Sequence, residues 1–214
     1  MNQTSTLPHA YLPVPHDEDR QGVFLDLEGV SGIGKSTLAR LLATRLKATS
    51  LHTLPEPHGT WSRDPRLRSL PQLALYISGL LHASDRARQA LTVGPVIADR
   101  YTPSVIACQA AAHGADPADV ARLLEPFRPY LLAPDHTFYL VAEEDTLRDR
   151  IKGKADVKQD DADLFGVPGR FKQLRENFEA VAATDPTAVV LVTDGLTADQ
   201  LADAIVAHVG GPRA

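Results

Sequence analysis

The chain has 214 residues, 43% of them hydrophobic, which suits one α/β domain with a complete core. Its formal net charge of −5 at pH 7 argues against a general nucleic-acid or membrane surface, and the longest apolar runs fall far short of a membrane span. The single cysteine excludes an internal disulfide and favours a reducing, cytoplasmic location.

The two ends of the chain differ from its middle. Residues 1–21 contain three prolines with histidine and acidic side chains, and they lack apolar periodicity and a signal-peptide pattern. We expect a flexible N-terminal extension there, with or without a role as an interaction arm. A single domain is predicted over 22–209, followed by a loose tail at 210–214.

Residues 29–36 match the motif G-x-x-x-x-G-K-[ST] at every position. An apolar run at 23–28 predicts a strand before the motif, and 35–48 has the spacing of an amphipathic helix, which is the context of a phosphate-binding P-loop. The glycines let backbone N–H groups point at a phosphate, and the helix N-terminus adds partial positive charge. Lys35 is expected on the β- and γ-phosphates of a nucleoside triphosphate, with Ser36 on Mg²⁺. The remaining loop contacts are expected from Gly29, Ser31, Gly32, Ile33, Gly34 and Thr37.

Strand-like and helix-like runs alternate after the P-loop. Further strands are predicted at 51–54, 95–99, 136–141 and 189–193. Helices are predicted at 67–91, 103–113, 117–131, 144–151, 171–183 and 197–209, with N-caps at Thr102, Asp116 and Thr197. The alternation predicts an α/β three-layer sandwich, with a five-stranded parallel sheet between helices and ligands at the carboxyl ends of the strands.

Four carboxylates end or follow predicted strands and are expected around one cleft: Glu28, Glu56, Asp99 and Asp194. Asp99 is expected to hold Mg²⁺ through water, although a strand-end salt bridge would also place an Asp here. Arg100, the next residue, offers a planar guanidinium for a phosphate.

The loop after the second predicted strand places Glu56 between two prolines that stiffen the backbone. Glu56 could accept a proton from a substrate hydroxyl, or it could be an acidic turn residue. Trp61, five residues later, could stack on a base or simply pack.

Two helices carry candidate contacts to an acceptor base. His82 and Arg86 are four residues apart on one helix and share a face, which could line a base or be a solvated surface with Arg86 paired. Gln109 shares a helix face with Val105 and could read a base edge, although a solvated or capping side chain is the favoured interpretation.

A basic run interrupted by glycine follows the fourth strand. We expect a mobile lid over about 148–168 whose cations close over transferred phosphates, as opposed to an ordinary charged loop. The cations are Arg148, Arg150, Lys152, Lys154 and Lys158.

From Phe24 to Val209 the order of motifs resembles the thymidylate kinase family of P-loop nucleoside monophosphate kinases. The similar segments are 24–29, 55–60, 83–86, 99–101 with Ser104 and Gln109, and 170–178. The resemblance implies ATP- and Mg²⁺-dependent transfer to a nucleoside monophosphate, and dimers are usual in the family. A P-loop without arginine beside a basic lid resembles the subgroup that supplies its cations from the lid. The implied catalytic residues are Lys35, Glu56, Asp99, Arg100, Arg148 and Arg150, and the acceptor residues are Glu56, Trp61, His82, Arg86, Arg100 and Gln109.

Three positions depart from that family's pattern, and all lie on the acceptor side. His82 replaces an aromatic ring, Ser31 replaces a P-loop acid, and Pro55 replaces a phosphate-binding arginine. Deoxynucleoside kinases are the alternative, because Glu56 and Trp61 match the spacing of their general base and tryptophan. The acceptor therefore stays open between dTMP, a related or modified pyrimidine nucleotide, and a nucleoside hydroxyl. A nucleotide-dependent switch is the non-enzymatic alternative, but the chain has no Asn-Lys-x-Asp signature.

Overall fold

The computed structural model describes residues 11–13, 19–62, 64, 66–154, 157 and 159–210. Most of the predicted N-terminal extension lies outside these ranges, as do Lys158 of the predicted lid and the last four residues. Within the extension, Tyr11 accepts a hydrogen bond from the hydroxyl of Tyr130 at 2.8 Å, and Arg20 forms an ion pair with Asp135.

Five parallel strands form one sheet, as predicted, and their order in it is β2-β3-β1-β4-β5. The strands are β1 (Phe24–Glu28), β2 (Thr49–His52), β3 (Val96–Asp99), β4 (His136–Val141) and β5 (Ala188–Val192). β2 lies two residues earlier than predicted. The chain leaves the sheet after His52, where the Thr53 hydroxyl donates to the carbonyl of Arg100.

Nine α-helices and one 3₁₀ helix lie in the described part of the chain. They are α1 (Lys35–Leu46), α2 (His58–Trp61), α3 (Ser69–Leu91), α4 (Thr102–His113), α5 (Pro117–Leu124), η1 (Glu125–Tyr130), α6 (Glu144–Lys152), α7 (Gln159–Gly166), α8 (Arg170–Ala182) and α9 (Ala198–Gly210). None of these helices is long and apolar enough to cross a membrane.

Local chemistry explains where the helices agree with the predictions and where they differ. Asp116 and Thr197 cap their helices as predicted, by accepting from the backbone N–H groups of residues 118 and 200. The N-cap prediction for Thr102 was wrong, because Thr102 is already helical. The single helix predicted at 117–131 ends at Leu124, because the prolines at 126 and 129 cannot donate to an α-helical ladder. Short α2 and lid helix α7 were not predicted.

The core fills both faces of the sheet. On one face, Leu25 and Leu27 of β1 pack with α1 and α9 in a cluster that extends to α8. On the other face, Phe24 packs with the apolar sides of α3, α4 and α5. Because both faces are covered, β1 is buried along its whole length, and the P-loop begins from a fixed base at the carboxyl edge of the sheet.

Candidate active site

The loop after β1 has the backbone that a phosphate cradle requires. Gly29 has φ of 132° and Gly32 has φ of 78°, in a region that side chains with a Cβ rarely adopt. A Cβ on Gly29 would lie 2.6 Å from the carbonyl oxygen of Leu140, and one on Gly32 would lie 2.6 Å from Cγ1 of Ile151. Both positions therefore require glycine for packing as well as for conformation.

Lys35 begins α1, and its ammonium group turns back onto the loop. Its Nζ donates to the carbonyls of Gly29 at 2.8 Å and Val30 at 2.7 Å, and the residue is 5% exposed. Burial, together with the positive charge of Arg100, lowers the pKa of Lys35 to about 7. A bound phosphate would favour the protonated form of this group.

Ser36 and Asp99 meet between α1 and the end of β3. The Ser36 hydroxyl donates to Oδ2 of Asp99 at 2.5 Å, so the two predicted Mg²⁺ ligands are adjacent. In the described part of the chain, no cluster of three or more His, Cys, Asp or Glu side chains forms a complete metal site. Two hard oxygen ligands beside a phosphate loop fit Mg²⁺, which usually keeps several waters and takes phosphate oxygens as further ligands.

Arg100 holds an unusual backbone conformation directly after β3. Its φ of 76° lies in the left-handed region, and its guanidinium donates to Oγ of Ser104 at 3.1 Å and to the carbonyl of Gly29 at 3.4 Å. The backbone is held from both sides, by the Leu27 carbonyl and by the Thr53 hydroxyl. A strained residue held this firmly is typical of a functional position.

Glu28 anchors this segment and is not one of the cleft carboxylates. It is 0% exposed, and it accepts from the backbone N–H groups of Tyr101 at 2.8 Å and Ser104 at 3.1 Å and from the Ser104 hydroxyl. Asp194 accepts from the N–H of Glu143 at 3.2 Å, and it lines a cavity together with Gly29 and Val30 of the P-loop. The expectation of four carboxylates around one cleft is thus wrong for Glu28.

Glu56, Trp61 and His82 lie along the loop and helices that follow β2. Glu56 is exposed and accepts from the Thr60 hydroxyl at 2.8 Å. The ring of Trp61, 55% exposed, lies 6.2 Å from the imidazole of His58, which is 5.7 Å from that of His82. His58 was missed because α2 was not predicted; its spacing of three from Trp61 is the signal that could have found it.

Arg86 and Gln109 differ in exposure. Arg86 is exposed on α3, whereas Arg88, two residues later, is buried and donates to the Tyr130 carbonyl at 2.9 Å. Gln109 is 4% exposed, so the solvated interpretation was wrong. Its Oε1 has no hydrogen-bond partner among the described residues, which leaves a buried acceptor available.

The two lid arginines of α6 bind protein groups. Arg148 pairs with Glu144 at 2.6 Å, and its guanidinium carbon lies 4.0 Å from the ring centre of Phe165 in α7. Arg150 donates to the hydroxyl and the carbonyl of Thr193, each at 2.8 Å, and to the Ile33 carbonyl at 3.3 Å. Arg150 thereby joins the lid to the P-loop and to the end of β5.

A parallel sheet with a P-loop, a lysine on that loop and a Ser–Asp pair beside it defines a P-loop phosphotransfer enzyme. A sequence model of the thymidylate kinase family matches residues 27–205. The thymidylate kinase of Pseudomonas fluorescens is 34% identical over 188 residues, which cover 80% of this chain and 87% of that protein. The thymidylate kinase of Gluconobacter oxydans is 30% identical, and the match covers 87% of this chain and 93% of that protein. The chain belongs to the thymidylate kinase family and is a P-loop nucleotide kinase.

Solved structures show the same fold. Thymidylate kinase from Candida albicans superposes with a TM-score of 0.71 and 21% identity, covering 88% of this chain and 91% of that one. A deoxyadenosine kinase from M. mycoides superposes with a TM-score of 0.63 and 17% identity, and the match covers 86% of this chain and 97% of that one. The fold is thus shared by monophosphate and nucleoside kinases, and it does not choose between their acceptors.

Proposed function

We propose that this enzyme transfers the γ-phosphoryl group of ATP to the 5′-phosphate of dTMP or a closely related pyrimidine deoxynucleotide. The observation that carries the proposal is the Ser36–Asp99 contact beside the buried ammonium of Lys35. In this proposal the pair would supply metal ligands, Lys35 would supply a phosphate-binding cation, and the strained Arg100 directly follows Asp99. Membership of the thymidylate kinase family supports dTMP as the acceptor.

The donor side needs a phosphate cradle and a base pocket. The backbone N–H groups of residues 32–37 would hold the phosphates, and Lys35 would leave its carbonyl partners for the β- and γ-phosphates. Mg²⁺ held by Ser36 and, through water, Asp99 would neutralise charge on those phosphates. A cavity of about 180 Å³ beside the loop suits the donor base, and its lining includes Gly34, Thr37, Arg150 and Leu196.

The acceptor side would use the residues beyond β2 and β3. Arg100 would bind the acceptor phosphate, and the contact of its guanidinium with the P-loop carbonyl of Gly29 supports this role. Trp61 and His82 would contact the base by stacking, with Arg86 and Gln109 as hydrogen-bond partners. Two imidazoles and an indole make a broad aromatic surface, which suits a flat pyrimidine.

The lid would close the cleft and exclude water. Among the described lid cations, Lys154 forms an ion pair with Asp161, and Asp161 accepts a hydrogen bond from Ser31 of the P-loop. Arg148 and Arg150 would reach the transferred phosphoryl group only by releasing Phe165 and Thr193. In the described conformation, Arg150 bonds to Thr193 and lines the cavity beside the P-loop, and Arg148 packs on Phe165 of α7.

ADP release from Mg²⁺·ATP, measured against a panel of nucleosides and their 5′-monophosphates, tests the proposal. We expect turnover with dTMP and related monophosphates, and turnover confined to nucleosides would overturn it. Glu56→Gln sharpens the test, because a monophosphate arrives already ionised and needs no strong base, whereas a nucleoside hydroxyl does. We expect only a modest loss of dTMP turnover in this variant. Glu125→Gln, which changes an exposed pair with Arg128 on η1, is the matched control.

A further inference from the structure

Two contacts join the lid to the P-loop at neighbouring residues. The Ser31 hydroxyl donates to Oδ1 of Asp161, on α7, at 2.7 Å. At the next position, Ile151 of α6 occupies the space where a Cβ on Gly32 would stand. One polar and one apolar contact therefore hold both lid helices against the residues that shape the phosphate cradle.

The polar contact is made by a carboxylate removed from water. The Asp161 side chain is 0% exposed, and its Oδ2 forms an ion pair with Nζ of Lys154. A buried carboxylate is stable only while cations and hydrogen-bond donors surround it, so loss of a partner is costly. The position of Asp161 thus depends on Ser31 from the P-loop and on Lys154 from the lid.

Lys154 gains a defined position from this arrangement. It lies two residues beyond α6, where a lysine on a flexible stem would otherwise sample many rotamers. The ion pair with Asp161 holds its ammonium group beside Ser31 of the P-loop. A cation held there in advance avoids the entropy cost of ordering it during phosphoryl transfer.

We infer that Asp161 is a positioning residue that latches the lid to Ser31 of the P-loop and sets the Lys154 ammonium group beside the transferred phosphate. The inference rests on the proposed function for its kinetic consequence. Its structural consequence, a coupling between α7 and the P-loop, is independent of the acceptor.

The experiment uses Ser31→Ala, Asp161→Asn and the double variant in the full chain. Asp149→Asn is the matched control, because Asp149 pairs with Lys152 on the outer surface of the same lid, with side chains 78% and 75% exposed. Hydrogen exchange without nucleotide reports on the latch, and kcat and KM for ATP report on positioning. Both readouts are taken at a temperature where circular dichroism shows every variant folded.

We expect Ser31→Ala and Asp161→Asn each to raise amide exchange in the P-loop and α7 by about tenfold. Each should also lower kcat by about tenfold, with a smaller change in KM. The double variant should resemble the worse single variant, since both changes break the same contact. Asp149→Asn should match the wild type.

Additive effects of the two changes, or exchange rates like those of Asp149→Asn, would overturn the inference. Failure of the proposed function is a separate outcome. In that case the wild type would not phosphorylate dTMP, yet exchange in the P-loop and α7 would still respond together to Ser31→Ala.

Discussion

Asp26 allows a sharp test of how the core beneath the P-loop is built. It lies in the middle of β1, is 0% exposed, and neither carboxylate oxygen has a hydrogen-bond partner among the residues that the structure describes. Burial raises the pKa of Asp26 well above its ordinary value, and the negative charge of Glu28, two residues along the strand, raises it further. The folded protein therefore favours the protonated, neutral acid.

Replacing Asp26 with Asn or Val should stabilise the protein at neutral and alkaline pH. The wild-type carboxyl is protonated at no penalty below its unfolded pKa of about 4, and this stability is lost as the pH rises through the higher folded pKa. At pH 8 the folded wild type pays for keeping this carboxyl protonated or for burying its charge, a cost that the neutral side chain of Asn removes. Val also removes the buried polar group, which costs about 1–3 kcal/mol without a partner. For a chain of this size, a gain of about 2 kcal/mol raises the Tm by about 4–8 °C.

Thermal unfolding followed by circular dichroism between pH 4 and pH 8 would measure this effect. Both variants should melt above the wild type at pH 8, and the difference should shrink towards pH 4. Asp119→Asn, in an exposed ion pair with Arg122, is the control and should give a small, constant difference. If Asp26→Asn melts below the wild type at pH 8, the carboxylate has a stabilising partner and the reasoning is refuted.

Three further predictions concern the proposed site. The pKa of Lys35 is about 7 in the free protein, and phosphate contact raises it, so ATP binding at pH 8 should take up nearly one proton. Calorimetry in two buffers of different ionisation enthalpy would show this uptake, and Lys35→Arg should abolish it; equal observed heats in the two buffers would contradict the assignment. Asp99→Asn should raise the Mg²⁺ concentration needed for half-maximal ADP release by about 10–100-fold, and an unchanged Mg²⁺ titration would remove Asp99 from the metal site. Gln109→Leu removes a buried hydrogen-bond acceptor that has no partner among the described residues, so it should raise the free energy of unfolding by about 1 kcal/mol. The same change should raise KM for the nucleotide that receives the phosphoryl group. A gain in stability with no change in KM would make Gln109 a residue of the core alone.

Much of the fold could be predicted because its signals are local. The motif at 29–36, an apolar strand before it and a helix after it define the P-loop without any distant contact. Likewise, Asp116 and Thr197 cap helices through bonds to groups two or three residues away. The parallel direction of the five strands followed from the alternation of strands and helices, since parallel strands need crossover connections. The order of the strands in the sheet came only from the structure.

Pairings between distant residues could not be predicted in the same way. Glu28 looked like a cleft carboxylate, but it bonds to residues 73 and 76 positions away and anchors the start of α4. Gln109 looked solvated from the sequence, yet the packing of α4 buries it. The partner of Ser31 is 130 residues away on a short helix that the sequence did not predict.

The sequence by itself determined the class of chemistry. A G-x-x-x-x-G-K-[ST] loop between a strand and a helix, followed by Asp99-Arg100 at a later strand end, is enough to indicate phosphoryl transfer, because those groups act through backbone geometry that nearby residues set. Only the tertiary structure decided which charged side chains are bonded to other parts of the protein and which can contact a ligand. Burial and long-range hydrogen bonds assigned Glu28 to the scaffold, Arg150 to Thr193 and Asp161 to the P-loop, because a charge taken out of water must find its partner wherever the fold brings one.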